Sequence, residues 1–267
     1  MTEAEIARAL LSARDGRHTT TPPTRRGAGF GLDEAYRVGA ALDRRLRERG
    51  YRRAGCKVGF TNKAIWPRFG LEEPIVAPVY DRTLHAAAPT ARVSLAAFCA
   101  PRIEVEVVFG VDPDGGIAGA EAPDRPAWVA LGFEIVDCHY PDWRLTPADS
   151  VADFGLHGAL VIGPRIERAA PRFEEQVARL DRLEVSLLRD KRPSARGRGR
   201  DVLGHPLAAL DFVPRLLPRF DGAGMPASGG VVSTGTMTAL EPLAAGERWR
   251  VEADGVDLPG LELVLTD

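Results

Sequence analysis

Two glutamates spaced two residues apart in an otherwise Val/Ile/Phe stretch, "PRIEVEVVFG" at 101–110, are the residues whose types and spacing first suggest chemistry. Side chains alternate across a strand, so Ile103, Val105, Val107 and Phe109 share one face, and Glu104, Glu106 and Val108 share the other. Both carboxylates therefore point the same way. An amphipathic strand with one wet face accounts for the pair. A shared cation is the sharper account, and it needs a third ligand from elsewhere. Glu134 and Asp137 lie inside the apolar run "LGFEIVDCHYPDW" (131–143), where a carboxylate is costly without a partner. Glu104, Glu106 and Glu134 together offer an all-oxygen, three-carboxylate site. Such a set suits Mg²⁺, Mn²⁺ or Ca²⁺ rather than zinc, and it leaves positions open for water or a chelating substrate. The competing account of Glu134 is a salt bridge to one of the many arginines.

A lysine adds to the set. Of the 35 Lys and Arg residues only Lys57, Lys63 and Lys191 are lysines. Where arginine is the default cation, a retained lysine stands out, because lysine readily loses its proton when buried and can then act as an acid or base. Chance retention is the competing explanation.

The elements that must position these groups follow from periodicity. Residues 33–49 carry Ala35, Val38, Leu42 and Leu46 at helical spacing, with an acidic start and a stop at Gly50. The N-terminal twenty residues read as an amphipathic helix, and "GRHTTTPPTRRGAGFG" as a connector. "AGCKVGFTN" reads as a short strand, "KAIWPRFGLEEP" as a helical turn or two broken by Pro67, and 78–93 as paired strands. "DPDGGIAGAEAPDRP" is turn-rich, "TPADSVADFG" a capped short helix and "LHGALVIGP" a buried strand. Residues 182–189 alternate, "KRPSARGRGRD" reads as a solvated loop, and "HPLAALDFVPRLLPRF" as a proline-containing helix that His205 and Pro206 start. "GGVVSTGTMT", "RWRVEAD" and "LELVLTD" close the chain as strands. Helices near the start and strands through the last two-thirds predict an α+β fold with a mixed sheet rather than regular βαβ winding. The division expected is an N-terminal α/β segment, 1–80, carrying Lys57, and a β core, 81–267, carrying the metal site.

Composition narrows the partners. A net charge of −2, from 35 basic and 37 acidic residues, gives no footprint for nucleic acid or a membrane surface. No apolar run is long enough to span a bilayer, and the N-terminus lacks the apolar core of a signal peptide, so a cytoplasmic location is expected. Cys56, Cys99 and Cys138 form no CxxC pattern and are odd in number, which fits reduced thiols.

Six blocks in order, "CKVGFTNKA" (56–64), "PRIEVEVVFG" (101–110), "FEIVDCHYPDW" (133–143), "DSVADFGLHGALVIG" (149–163), "DVLGHPLAAL" (201–210) and "GGVVSTGTMT" (229–238), resemble the 2-keto-4-pentenoate hydratase and 4-oxalocrotonate decarboxylase group of the fumarylacetoacetate hydrolase superfamily. The resemblance covers about residues 33 to 265. It implies a fumarylacetoacetate-hydrolase-like β core, with Mg²⁺ or Mn²⁺ held by Glu104, Glu106 and Glu134 and with Lys57 in the active site. It also implies that Ser233, Thr234, Gly235 and Thr236 contact a substrate carboxylate; an ordinary strand-end turn is the alternative there.

The implied activity is a lyase that hydrates a small 2-hydroxy-2,4-dienoate or 2-oxo-alkenoate to a 4-hydroxy-2-oxo acid, of the kind formed late in aromatic-ring degradation. A homo-oligomer is expected, with a keto acid as the small-molecule partner. Decarboxylation of a 2-oxo-enedioate shares the same enolate. Hydrolysis of an acylpyruvate needs a His–Glu pair, for which His139 and His157 are candidates. A non-catalytic, metal-stabilised assembly protein is the remaining alternative.

Two departures bear on this. Where the hydratases carry an aspartate downstream of "KVG", this chain has Ile75 within "EEPIVAPVYD", with Asp81 as a conceivable substitute. The group's "VADNAS" segment reads "VADFGLHG" here, which places His157 nearby as a catalytic acid/base or as the cap of a buried strand.

Overall fold

A computed structural model describes residues 1–27, 29–87, 89–112, 126–226 and 229–267. The turn-rich connector expected over 112–126 therefore falls outside the described residues apart from its two ends. Helix α1 (Glu3–Gly16) opens on a capping box in which Thr2 and Glu5 each bond the other's backbone N–H. Helix α2 (Leu32–Glu48) buries the expected stripe of Ala35, Val38, Leu42 and Leu46. The shorter helices are α3 (Trp66–Phe69), α4 (Pro147–Ala152), α5 (Phe173–Ala178) and α6 (Val213–Leu216).

Fourteen strands among the described residues form two sheets. They are β1 (Arg53–Gly59), β2 (Ile75–Tyr80), β3 (Leu84–Ala86), β4 (Thr90–Ser94), β5 (Pro101–Val111), β6 (Trp128–Asp137), β7 (His157–Ile162), β8 (Ile166–Glu167), β9 (Glu184–Arg189), β10 (Arg192–Arg198), β11 (Gly230–Thr236), β12 (Glu241–Pro242), β13 (Arg248–Asp254) and β14 (Leu261–Thr266). The larger sheet runs β2-β1-β11-β5-β6-β7-β3, with β12 also on β5 and β8 on β6; the smaller runs β10-β9-β13-β14-β4. The β1–β11 and β3–β7 pairs are parallel and β5, β6 and β7 pair antiparallel, a mixed sheet within an α+β fold. Strands β1 and β2, from the first 80 residues, are built into the larger sheet.

Several expectations are corrected. The second face of β5 is not wet: every residue from Ile103 to Gly110 is buried, because Ile103, Val105, Val107 and Phe109 enter the main core while Val108 packs with Ala130, Leu160 and Val231 on the opposite face. Residues 192–198 are a strand rather than a loop. Their arginines suit an edge strand, and Gly197 is required because a Cβ there would lie 2.0 Å from the Met237 carbonyl oxygen. The segment after His205 is mostly 3₁₀ turns around one short helical turn, as Pro214 and Pro218 remove N–H donors. Pro67 starts α3 instead of breaking it. Strands β3 and β4 pair with β7 and β14, not with each other.

Candidate metal centre and its cavity

Strand register gathers the three glutamates. Glu104 on β5 stands directly opposite Glu134 on β6, and Glu106 opposite Gly132. Facing like charges destabilise a strand pair unless something compensates. One ligand oxygen from each glutamate lies within 4.8 Å of the others, and all three residues are buried. On the other side of β5, the ladder with β11 slips between Ser233 and Thr236. At that irregularity Gly235 takes φ +98°, and a Cβ there would stand 2.0 Å from Thr61 Oγ1. Its N–H therefore reaches Glu106 Oε2 at 3.0 Å, and Ser233 Oγ donates to the same oxygen.

Lys57, on β1 beside β11, completes the set. Its Nζ lies 2.7 Å from Glu134 Oε2 and donates to the Gly155 carbonyl at 3.0 Å. The other oxygen of Glu134 faces His157 Nδ1 at 2.9 Å, while His157 Nε2 meets Thr83 Oγ1 at 2.8 Å. Burial, followed by the charges of Lys57 and Arg14, holds His157 well below the usual histidine range, so the ring is neutral. With a carboxylate at Nδ1, the proton belongs there; the Thr83 hydroxyl facing Nε2 donates to the Tyr80 carbonyl oxygen at 2.9 Å.

The charges do not balance within the protein. Burial pushes Glu104 and Glu106 up to about 8, the neighbouring carboxylates adding to the rise against the pull of Lys57. Burial raises Glu134 as well, although Lys57 opposes it. Burial works against the Lys57 charge, yet the three carboxylates outweigh it and hold Lys57 above the ordinary lysine range. Ionised together, the three carboxylates would face one ammonium among the described residues. Glu134 Oε2, with Lys57 as its ionic neighbour, has no directed hydrogen bond among the described residues. A hard divalent ion would supply the missing charge, and the all-oxygen donor set suits one.

A cavity of about 480 Å³ opens beside this cluster, with Lys57, Glu104, Glu106, Gly235 and Thr236 on its wall. Glu134, Ser233, Thr234 and His157 lie behind that surface. Of the four residues expected at the substrate, Gly235 and Thr236 line the cavity, Ser233 orients Glu106, and Thr234 Oγ1 is spent on the Val107 carbonyl at 2.9 Å. His157, expected as an acid/base, stands behind the cavity wall with its ring nitrogens facing Glu134 and Thr83. Ile75 also lines the cavity, where the expected aspartate would stand. Asp81 does not replace it, because its carboxylate accepts the backbone N–H groups of Arg52 and Arg82 in an exposed turn. His139 sits between Asp153 (2.7 Å) and Asp137 (3.2 Å), away from this cavity. Arg102 stacks on Trp143, 4.1 Å from the ring centroid.

Reasoning from sequence missed Thr61, Asn62, Ser150 and Arg144 on the cavity wall. The signal lies in the backbone instead: Phe60, Trp143, Gly155 and Leu156, all lining the cavity, have φ between 55° and 65°. Left-handed non-glycine residues cluster where a site over-determines the chain.

No family model matches the chain. The 2-hydroxyhexa-2,4-dienoate hydratase of Comamonas testosteroni is 28% identical over 254 residues, covering 93% of this chain and 90% of that protein. A 2-hydroxypent-2,4-dienoate hydratase of Pseudomonas putida is 27% identical over 221 residues, 81% of this chain and 96% of that one. Among solved structures, 4-oxalocrotonate decarboxylase from Pseudomonas putida G7 with magnesium and adipate superimposes with a TM-score of 0.85 at 24% identity, over 98% of this chain and 97% of that one. The same enzyme has also been solved with calcium and acetate. The fold is shared with fumarylpyruvate hydrolase from Pseudomonas aeruginosa as well, at a TM-score of 0.58 and 17% identity over 80% of this chain and 89% of that one. In sequence the chain is similar over most of its length to 2-hydroxydienoate and 2-keto-4-pentenoate hydratases, and in fold to 4-oxalocrotonate decarboxylase.

Proposed function

We propose that this protein is a divalent-metal-dependent carbon–oxygen lyase that hydrates a small 2-hydroxy-2,4-dienoate, or its 2-oxo-alkenoate tautomer, to a 4-hydroxy-2-oxo acid. Curated relatives with this activity and the carboxylate cluster support the reading. Glu104, Glu106 and Glu134 would hold Mg²⁺ or Mn²⁺, which supplies Lewis-acid stabilisation for charge developing on the substrate's C2 oxygen.

The remaining work falls to the chain. The dienol loses its O2 proton and gains one at C5, giving a conjugated 2-oxo-3-enoate. Water then adds its hydroxyl at C4 and a hydrogen at C3, so the net change is one water and no redox partner is needed. Lys57 is the acid/base, held at the cavity floor by Glu134 and the Gly155 carbonyl. Gly235 and Thr236 border the bound acid. Ser233 and His157 fix Glu106 and Glu134 from behind. Self-association belongs to the same reading, and light scattering checks it.

One observation carries the proposal: Glu104, Glu106 and Lys57 line a single cavity, and the buried Glu134 joins their cluster from behind its wall. Following ultraviolet absorbance of 2-hydroxypenta-2,4-dienoate with Mg²⁺ should show loss of the dienol and formation of 4-hydroxy-2-oxopentanoate. Carbon dioxide from a 2-oxo-enedioate, pyruvate from an acylpyruvate, or no reaction with any of them would each replace hydration. Lys57→Met should retain Mn²⁺ while turnover falls by about 10²–10⁴-fold; full activity would remove Lys57 from the chemistry.

A further inference from the structure

The cavity beside the glutamates has two regions of unlike chemistry. Its floor, with Glu104, Glu106, Lys57 and Thr236, accommodates the charged oxo-acid end of a ligand. Beyond the floor, beside the polar Thr61, Asn62 and Ser150, the wall carries an apolar belt of Phe60, Ile65, Phe69, Trp143, Leu145 and Leu240, contributed by three separate stretches of chain. Each of these side chains is only half-buried. Four of them, Phe60, Trp143, Leu145 and Leu240, back onto the main core and present their remaining surface to the cavity. Elsewhere the protein hides such surface well: among the described residues Met1 is the one large hydrophobic side chain standing mostly in solvent.

Size points the same way. At about 480 Å³ the cavity falls within the range of sites that enclose drug-sized ligands, roughly 300–1,000 Å³, and a five-carbon acid seated on the floor leaves the belt uncovered. Two cations, Arg68 and Arg144, also border the space, but both are exposed, and the Arg68 guanidinium rests 5.4 Å from the Phe69 ring centroid. They mark the rim. A substituent leaving the floor meets apolar surface before it meets charge.

Resting on the hydratase reading above, we infer that the substrate carries an uncharged apolar substituent beyond C5 of the dienoate, an alkyl chain of several carbons or an aryl ring, which this belt takes out of water. Burying each added methylene should raise kcat/KM by about fourfold until the belt is filled.

The test is a substrate series with Mg²⁺: 2-hydroxypenta-2,4-dienoate, its 5-methyl, 5-propyl and 5-phenyl derivatives, and a 5-(2-carboxyethyl) derivative matched in length to the propyl compound. The propyl or phenyl compound should exceed the parent by tenfold or more in kcat/KM and should exceed the carboxylated compound. Leu145→Gln with Leu240→Gln should flatten the series. A flat or falling series, or a preference for the second carboxylate, would overturn the inference and in the latter case give the outer cavity to the rim arginines. If no member turns over, it is the hydratase reading that fails. Titration of the Mn²⁺-loaded protein with 2-oxopentanoate and 2-oxooctanoate then decides this inference separately: a tenfold or greater preference for the longer acid supports it, and equal affinities overturn it.

Discussion

Glu134 is held from two sides, by Lys57 on one oxygen and His157 on the other, whereas Glu106 is held by Ser233 and the Gly235 N–H. These contacts fix where each carboxylate can offer a lone pair, and they separate two predictions. Glu106→Gln removes a ligand charge without changing side-chain volume, so Mn²⁺ binding measured by titration should be lost while circular dichroism stays native; unchanged affinity would take Glu106 out of the site. His157→Ala removes an orienting partner and leaves all three proposed ligands, so Mn²⁺ affinity should weaken by about 10–100-fold, with partial recovery in His157→Asn. Equal affinity in wild type and His157→Ala would leave His157 with packing alone. At this scale the E-x-E pair was legible because strand alternation is local, and Glu134 because a carboxylate in an apolar run demands a partner. The division of labour within Ser233–Thr236 was not, since it depends on a slip in the β11 ladder that no local pattern encodes.

The elements that carry the site are tied together by a second buried cluster. Arg14 of α1 donates to Asp153 (2.7 Å) and to the His157 carbonyl (2.6 Å), linking the first helix to the start of β7. His139 lies between Asp153 and Asp137, and Asp137 also accepts the Cys99 and Ala100 N–H groups at the foot of β5. Although burial opposes its charge, Asp153 and Asp137 hold His139 up to about 9, against an ordinary 6.5. A histidine raised on folding contributes stability that is complete below about pH 6.5 and lost as pH rises through 9. The difference amounts to at most about 3 kcal/mol. With saturating Mg²⁺, urea midpoints for wild type should fall between pH 6.5 and 9.5. His139→Gln should be less stable at neutral pH and flatter over that window; parallel profiles would show that His139 does not anchor α1. Sequence displayed the elements but not this link. Residues 14, 139 and 153 meet only because α1, the end of β6 and the turn after α4 are packed together. The arginine-rich strand β10 was hidden for a related reason, since an edge strand pairs on one side and keeps a polar composition.

Across the whole molecule, the α+β class was readable from element order, whereas the sheet order was not. Strands β1 and β11 pair in parallel although Lys57 and its register partner Ser233 are 176 positions apart in the chain. That long-range closure sets carboxylates from β5 and β6 against a lysine from β1 in the interior, and without a cation the arrangement has a pH-dependent cost. Glu104 and Glu106, up to about 8 in the folded protein against an ordinary 4.5, stabilise the metal-free fold fully only below about pH 4.5, and that contribution is lost as pH rises through 8. A divalent ion needs the same groups deprotonated, so its affinity rises over the same interval. A ligand at a hundred times its Kd stabilises the folded state by about 2.7 kcal/mol. At a fixed Mg²⁺ or Mn²⁺ concentration, the rise in Tm should therefore be small at pH 6 and several-fold larger at pH 8.5, and Glu106→Gln should remove it at both. A thermal shift equal at the two pH values would mean that the ion binds away from these carboxylates, and the fold would then have to tolerate three buried glutamates with Lys57 as their one cation among the described residues.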